Sequence, residues 1–403
     1  MKRSPLVVIL LTVFIDLVGF GIVIPVLPYY LESERFRASP IALGLLFSSY
    51  SVMQLIFSPV LGRWSDRHGR RPVLLLSLIG SGVGFVILGA AETLLMLFVG
   101  RIIAGITGGN ISTAQAYIAD VTTPEDRAKG MGLFGAAFGL GFIFGPAIAG
   151  VLSPIDISLP FYFAGALSFA NAVLLYFTLP ETVTPGHPAR STRRGWAHFA
   201  HSLRQRRLAL VVGIYFLFVV AFSIMTTVFA LFTMYRFGYD AAHNGYLFAY
   251  IGLLAVIVQG GLIGRLVRRY GELPLVIVGA LLLGINLIIL PYVGPLAGGI
   301  AGLLAVMTCF SIGNSFATPT LTSLASKSVG EAEQGGVMGV TQSAASLARA
   351  IGPAVGGWLI YSATAPRHID DNSVRLTFFT ASGIMFAALA LALYLRREPE
   401  PLG

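Results

Sequence analysis

Three ionisable side chains fall inside long apolar runs of this sequence, where a charge needs a partner or water. They are Asp16, Arg101 and Arg349. A charged residue at that depth costs at least about 2.5–3.5 kcal/mol on insertion scales, so each should face a cavity or a partner. A buried carboxyl that binds and releases a proton suits proton coupling, with Arg101 as its tuning partner. The alternatives are a permanent Asp16–Arg101 ion pair that only fixes packing, and arginines held by backbone carbonyls.

Polar amides share the apolar runs and are weaker candidates for the same chemistry. Together with Arg349 they are predicted to line a substrate cavity, although hydrogen bonds between helices explain most such amides equally well. The candidates are Asn110, Gln115, Gln259, Asn314 and Gln342.

The segments that hold these residues must be membrane-spanning helices. The chain has 403 residues, of which 56% are hydrophobic and 11% charged, whereas soluble domains carry about 25% charged residues. The apolar runs are continuous over about 20 residues, the length that a helix needs to cross the hydrocarbon core, whereas barrel strands alternate over roughly 10 residues. We therefore predict an all-α membrane protein with twelve spans, at residues 6–29, 41–62, 72–91, 94–117, 128–152, 160–179, 208–235, 244–264, 273–293, 296–322, 335–361 and 374–395.

Basic residues segregate between alternate loops. With both termini in the cytoplasm, 20 of the 27 Lys and Arg residues lie on the cytoplasmic side and five on the opposite side. This bias is the positive-inside pattern of a multi-pass protein of the cell (inner) membrane. It also accounts for the net charge of +9 without a nucleic-acid partner.

The two halves of the chain repeat each other. Gly62-Arg63 recurs at Gly264-Arg265, Gly109-Asn110 at Gly313-Asn314, and Gly145-Pro146 at Gly352-Pro353, with offsets of 202, 204 and 207 positions. Ordered matches of glycine and polar residues indicate a duplicated six-helix unit. We expect two pseudo-symmetric bundles at 1–180 and 208–403, joined by a cytoplasmic linker at 181–207. Such a plan is typical of carriers whose substrate site lies near the midplane.

Several motifs resemble those of one transporter family. The stretch 62–71 resembles the loop motif of the major facilitator superfamily, and 101–105 its fourth-helix motif. The stretch 141–146 resembles the fifth-helix motif of proton-coupled antiporters. Together with the stretches 16–21 and 118–120, the first half resembles drug:H⁺ antiporters of the tetracycline-exporter type.

The resemblance implies roles for the residues that match. The loop motif would latch the cytoplasmic side shut in the outward-facing state, and Gly145, Pro146, Gly352 and Pro353 would bend their helices, because proline removes a backbone hydrogen bond. The residues expected in this gate are Gly62, Asp66, Gly69, Arg70, Asp120 and Arg127.

The chain departs from tetracycline exporters at three of their functional positions. Their third-helix acid falls at Gly84, their ninth-helix acid near Leu283, and their eighth-helix histidine near Ala255 or Val256. These departures argue against tetracycline as the substrate and leave Asp16 as the only deeply buried acid.

We therefore expect export of a small amphipathic or drug-like compound in exchange for protons, by a monomer without cofactors or bound metal. The alternative is a carrier for an endogenous anionic or amphipathic metabolite without proton coupling. A membrane enzyme is disfavoured because the spans contain no acid–base or metal-ligand pair, no phosphate-binding loop and no activated nucleophile.

Overall fold

The computed structural model describes residues 5–183, 205–329, 334–362, 364 and 368–397, without the side chains of 124–129, 131, 138 and 334–336. The helices of the first half begin and end close to the predicted positions. They are α1 (Pro5–Glu32), α2 (Pro40–His68), α3 (Arg70–Gly89), α4 (Leu94–Thr107), α5 (Asn110–Val121), α6 (Pro124–Leu152) and α7 (Leu159–Thr178).

The second half repeats this series. Its helices are α8 (Arg206–Phe237), α9 (Ala241–Ile257), α10 (Ile263–Tyr270), α11 (Glu272–Ile289), α12 (Gly299–Lys327), α13 (Gln334–Ile360) and α14 (Asp371–Leu395). A π-helical turn at Val258–Leu262 joins α9 to α10, and a 3₁₀ turn at Leu290–Tyr292 follows α11.

Eleven helical segments of the described residues are long and apolar enough to cross a membrane. The helix α13 is long enough, at 27 residues, but it falls outside those eleven because Gln342, Ser346 and Arg349 make its centre polar. A helix of that composition needs cover from its neighbours, and α8 packs along it. With α13 as the twelfth span, the predicted all-α membrane fold is confirmed.

Two of the predicted spans are interrupted helices. The fourth span ends as α4 at Thr107 and resumes as α5 at Asn110, with Gly108 and Gly109 between them. The eighth span contains the π-helical turn, which includes Gln259. Such interruptions free backbone carbonyls, and here the carbonyl of Gly108 accepts a hydrogen bond from Gln54 at 2.9 Å.

The chain folds into two compact units that do not coincide with the two halves of the sequence. The first comprises 1–191 and 239–252, and the second comprises 192–238 and 253–403. The first part of α9 thus belongs to the first unit, where a Cβ on Gly245 would lie 2.6 Å from the carbonyl oxygen of Pro146. The asparagine beside it, Asn244, donates to the hydroxyl of Tyr29. The linker predicted at 181–207 lies mostly outside the described residues.

Glycines allow a close helix crossing at the repeated position in each unit. In the first unit α1 crosses α6, and a Cβ built on Gly145 would lie 2.6 Å from the carbonyl oxygen of Val18. In the second unit α8 crosses α13, and a Cβ on Gly352 would lie 2.9 Å from the carbonyl oxygen of Val220. Small residues spaced four apart let lipid-embedded helices approach in this way. The sequence repeat therefore corresponds to a repeated helix contact.

The crossing of α1 and α6 gives a stability test. We expect Gly145→Ala to destabilise the protein by about 1–3 kcal/mol, because the added methyl meets backbone that cannot move aside. Thermal unfolding of the detergent-solubilised protein measures this effect.

Gly135→Ala in the same helix is the matched control, since a Cβ there has no neighbouring atom within 4 Å. Alanine is the better helix former by about 0.5–1 kcal/mol, so we expect this variant to melt at the same temperature or higher. Equal melting temperatures for the two variants would contradict the packing described here.

Candidate functional site

The first unit brings Asp16 and Asn110 into contact. Asp16 lies near the middle of α1, and the Asn110 Nδ2 donates to its Oδ2 at 2.9 Å. The interruption at Gly108 and Gly109 makes Asn110 the first residue of α5. Of the residues predicted to carry the chemistry, these two are joined directly.

Arg101 is buried on α4, with 2% of its surface exposed. Its Nε donates to the carbonyl oxygen of Leu46 at 3.4 Å, and its guanidinium lies 4.4 Å from the ring centroid of Tyr50 and 5.5 Å from that of Phe47. A carbonyl dipole and two aromatic faces can stabilise a buried cation. Contacts with α2 therefore hold this arginine.

Asp16 and Arg101 border the same small cavity. It is about 20 Å³ in volume and is lined by Asp16, Phe20, Tyr50, Ser81, Phe85, Arg101 and Ala104. That volume holds about one water molecule, which needs about 10–15 Å³ of accessible space. No ion pair joins Asp16 to Arg101 among those of the described residues. The carboxyl is thus close to a cation and a water site without being locked in an ion pair.

The glycines that follow Arg101 on α4 make a close helix contact. A Cβ on Gly105 would lie 2.5 Å from the carbonyl oxygen of Tyr50, and one on Gly108 would lie 2.7 Å from the Tyr50 hydroxyl. Their small size lets α4 approach α2 closely enough for Tyr50 to lie against Arg101.

A second polar cluster lies at the end of the first unit where α2 meets α3. We call it the Arg70 cluster; it consists of Ser65, Asp66, Arg70 and Asp120. The Arg70 guanidinium donates to Ser65 Oγ at 2.7 Å and to Asp120 Oδ2 at 3.2 Å, and it also pairs with Asp66. Arg70 is 7% exposed, so these partners neutralise a largely buried charge.

Glu181 is the residue at this cluster that the sequence analysis missed. Its carboxylate accepts the backbone N–H groups of Arg70 at 2.9 Å and Arg71 at 3.1 Å, so it caps the first turn of α3. The preceding Gly69 has φ +108°, and a Cβ there would collide with that carboxylate. The sequence marks Glu181 as an acid after the sixth span, but no local pattern indicates that it returns to α3.

Two further contacts join the segment after α7 to α5. Tyr117 donates its hydroxyl to the carbonyl oxygen of Pro180 at 3.0 Å, and Thr182 donates to Asp120 Oδ2 at 3.1 Å. The Arg70 cluster is therefore braced from α2, α3, α5 and the segment after α7. Gly62 lies where α2 approaches Ser112 of α5, and the side chain of Arg127 lies outside the described residues.

The remaining cavity candidates occupy separate positions. In the second unit, Arg349 is half-buried and donates to Ser346 at 3.3 Å, Gln259 donates to Ser315 at 3.4 Å, and Asn314 accepts from Thr318 at 3.1 Å. Gln342 is exposed and Gln115 of the first unit is half-buried. Pro146 and Pro353 lie inside helices that continue past them, α6 and α13.

The chain is similar in sequence to known membrane transporters and resistance proteins. The family model described as Major Facilitator Superfamily matches residues 9–353. The chain is 33% identical to the class D tetracycline resistance protein of Salmonella ordonez, over 99% of both chains. It is 30% identical to multidrug resistance protein 2 of Bacillus subtilis, over 97% of this chain and 95% of that one.

A solved structure agrees with these matches. The human organic anion transporter MFSD10 (TETRAN) superposes with a TM-score of 0.72 at 26% identity, covering 97% of this chain and 99% of the other. All three of these relatives carry compounds or confer resistance to them, and none is an enzyme. The repeated helix contacts and the half-buried carboxyl of Asp16 in the first helix agree with these matches, which extend over nearly the whole length. This chain belongs to the Major Facilitator Superfamily of membrane transporters.

Proposed function

We propose that this transporter exports a small amphipathic or drug-like compound in exchange for protons by alternating access. The observation that carries the proposal is the carboxyl of Asp16, which borders a water-sized cavity beside Arg101 and bonds to Asn110. A carboxyl with water access and no fixed ion pair can change its protonation as the protein changes state. The names of the tetracycline and multidrug resistance relatives support a drug-like substrate.

The membrane orientation completes this proposal. The basic residues predict that both termini and the Arg70 cluster face the cytoplasm of a cell with the protein in its inner membrane. A proton that enters down 100 mV then supplies about 2.3 kcal/mol, and each pH unit adds about 1.36 kcal/mol. One exchanged proton thus suffices for modest uphill export by a monomer.

The Arg70 cluster serves as the cytoplasmic gate in this scheme. Its bonds join α2, α3 and α5 with the segment after α7, so that end of the bundle moves as one body. Arg349, Gln259, Asn314 and Gln342 in the second unit and Asn110 and Gln115 in the first are the proposed cavity-lining residues. Gly145-Pro146 and Gly352-Pro353 are the proposed bends.

A second candidate function has its own support. The 26% identity to a human organic anion transporter, together with Arg101 and Arg349 in the spans, favours an anionic metabolite as cargo. In that case transport need not be coupled to protons. A transport screen of cationic, neutral and anionic dyes in proteoliposomes, with and without a pH gradient, separates the two candidates. An anion transported at a rate indifferent to the gradient would replace the proposed function by this one.

Asp16 provides the direct test of coupling. We expect Asp16→Asn to abolish uphill export, because asparagine cannot bind and release a proton, while the protein still inserts and binds substrate. Uptake into everted vesicles under an imposed pH gradient measures the accumulation ratio, which should fall to about one.

Glu92→Gln is the control for Asp16→Asn, since Glu92 is an exposed acid that precedes α4. This variant should accumulate substrate as the unmodified protein does. An Asp16→Asn protein that still concentrated its substrate would remove Asp16 from the coupling mechanism.

The proposed gate predicts an effect on turnover rate and not on substrate affinity. We expect Asp66→Asn to lower the turnover rate by at least about fivefold with little change in substrate Kd, because it weakens a bond of a largely buried arginine away from the cavity. Initial transport rates and equilibrium binding on the same preparation measure the two quantities.

Arg63→Gln tests whether any charge change in this loop has the same effect. Arg63 is exposed and donates to the carbonyl oxygen of Pro59 on its own helix at 3.1 Å, so turnover should stay unchanged. If Asp66→Asn also left turnover intact, the α2–α3 loop would be a connector and not a gate.

A further inference from the structure

Five buried hydroxyl groups in the first unit have no hydrogen-bond partner among the described residues, and two of them belong to Ser48 and Ser153. The other three lie on helices that reach the surroundings of Asp16: Thr12 on α1, Ser77 on α3 and Thr113 on α5. Their residues are 2%, 0% and 0% exposed. Buried polar atoms in folded proteins are almost always bonded to protein or to ordered water. Three unpaired hydroxyls in one bundle therefore indicate bound water.

The three hydroxyls differ from those of other threonines in the same unit. A threonine inside a helix ordinarily donates to the carbonyl four residues earlier. Thr107, Thr122 and Thr178 do so, at 2.9, 2.7 and 2.5 Å. Thr12, Ser77 and Thr113 leave this bond unmade, so their hydroxyls are available to other partners.

The three hydroxyls occupy equivalent places relative to the Asp16 cavity. Thr12 precedes Asp16 by four residues and Ser77 precedes Ser81 by four, while Thr113 follows Asn110 by three. Residues spaced three or four apart share a helix face one turn apart. Asp16 and Ser81 line the cavity, and Asn110 bonds to Asp16. Each hydroxyl thus lies one helical turn beyond a group at the cavity, toward the Arg70 cluster.

The same two helix faces continue to the Arg70 cluster. On α5, Tyr117 and Asp120 follow Thr113 at spacings of four and three residues. On α3, Arg70 lies seven residues before Ser77, which is two turns on the same face. The two faces meet again where Arg70 donates to Asp120 at 3.2 Å. The helix α5 packs against both α1 and α3, so these buried groups lie on helices that pack together.

The spacing of these groups suits single water molecules. One helical turn advances 5.4 Å, which is about twice the 2.7–2.8 Å between oxygens in a hydrogen bond. A single water molecule is therefore the right size to bridge two groups one turn apart on a helix. Val13, Leu78 and Ala114, which follow the three hydroxyl residues in the sequence, belong to a buried apolar cluster. The hydroxyls are therefore polar groups within an otherwise apolar part of the bundle.

We propose that Asp16, Thr12, Ser77, Thr113, Tyr117 and Asp120 line a hydrated column that carries protons between Asp16 and the Arg70 cluster inside the first unit. The ligand of this site is water, and the transported species is the proton. This inference rests on the proposed proton coupling and adds a route separate from the substrate cavity.

The transfer along the column balances at each step. The O–H bond of a protonated Asp16 breaks and leaves a carboxylate, while a new O–H bond forms on the adjacent water. Each water, and each hydroxyl of Thr12, Ser77 and Thr113, accepts one proton and donates another, and the proton reaches the partly exposed carboxylate of Asp120 or bulk water beside it. Tyr117 lines the column without relaying the proton, because its hydroxyl donates to the carbonyl oxygen of Pro180. Each of the two carboxyls has an arginine nearby. Arg101 borders the cavity with Asp16, and Arg70 donates a hydrogen bond to Asp120.

Hydroxyl-radical footprinting of the detergent-solubilised protein tests the water directly, with radiolysed water as the probe. Radiolysis of bound water gives hydroxyl radicals, which oxidise adjacent side chains even when these are buried. We expect Tyr117 to be oxidised although it is 0% exposed, whereas Phe161, also 0% exposed, should not be. In the triple variant Thr12→Val, Ser77→Ala, Thr113→Val the oxidation of Tyr117 should fall. Absence of Tyr117 oxidation in the unmodified protein would overturn the hydrated column.

Proton flux tests the function of the column. In proteoliposomes, with the substrate found by the transport screen, we expect the triple variant to lose at least about tenfold in substrate-elicited proton flux. Substrate counterflow, which needs no net proton movement, should be retained and shows that the variant folds. Thr12→Ser with Thr113→Ser keeps all three hydroxyls and should keep the flux.

The matched control replaces three hydroxyls that already bond to their own helices. Thr107→Val, Thr122→Val and Thr178→Val together should leave proton flux unchanged. Undiminished flux in the first triple variant would overturn the column while leaving proton coupling intact. Equal loss of flux and counterflow would assign the hydroxyls a structural role instead. Substrate transport without proton movement in the unmodified protein would overturn the proposed function itself.

Discussion

The architecture of the first unit follows from one constraint, which is to keep an ionisable carboxyl usable inside a bilayer. An isolated charge at that depth is costly, and a tight ion pair would hold Asp16 in one protonation state. The structure adopts neither arrangement: Arg101 is held by the carbonyl of Leu46 and by aromatic rings of α2, and Asp16 bonds to the neutral amide of Asn110. The carboxyl therefore has a neutral hydrogen-bond partner, a nearby cation and a water-sized cavity, without a fixed ion pair.

Close helix contacts make this arrangement possible. Gly105 and Gly108 bring α4 against Tyr50, whose ring then faces the Arg101 guanidinium. Gly145 brings α6 against α1, the helix that carries Asp16. A methyl group at any of these glycines would push apart helices that position the charged groups. Packing and electrostatics are thus set by the same residues.

The sequence predicts the helices well because hydrocarbon thickness and backbone bonding leave few alternatives. It also predicts Arg101 as a neighbour of Asp16, since polar groups in lipid need partners, but it assigns Asn110 only to a substrate cavity or to a hydrogen bond between helices. It does not predict that α5 begins at Asn110 or that Gln259 lies in a π-helical turn. Both depend on carbonyls and side chains of other helices, and the cap that Glu181 forms on α3 depends on the return of α7.

The departures from tetracycline exporters also have a physical basis. A side chain at Gly84 would lie 2.8 Å from the carbonyl oxygen of Gly100, so the third helix cannot carry an acid there without separating from α4. Leu283 is 0% exposed in the core of the second unit, where an added carboxyl would be unpaired. The packing around Gly84 and Leu283 therefore leaves no room or partner for an acid at either position.

The same packing decides where a proton can go. With no acid at Gly84 of the same unit, the proposed proton route from Asp16 uses other groups of the first unit. The unpaired hydroxyl of Thr12 lies one turn from Asp16 on α1, and those of Ser77 and Thr113 lie one turn from Ser81 on α3 and from Asn110 on α5. Because α3 and α5 carry two of these hydroxyls and also the Arg70–Asp120 pair, the proposed route ends on helices that also carry the proposed gate. The proposed coupling and gating then share two helices of the first unit, and no transmission between distant elements is required.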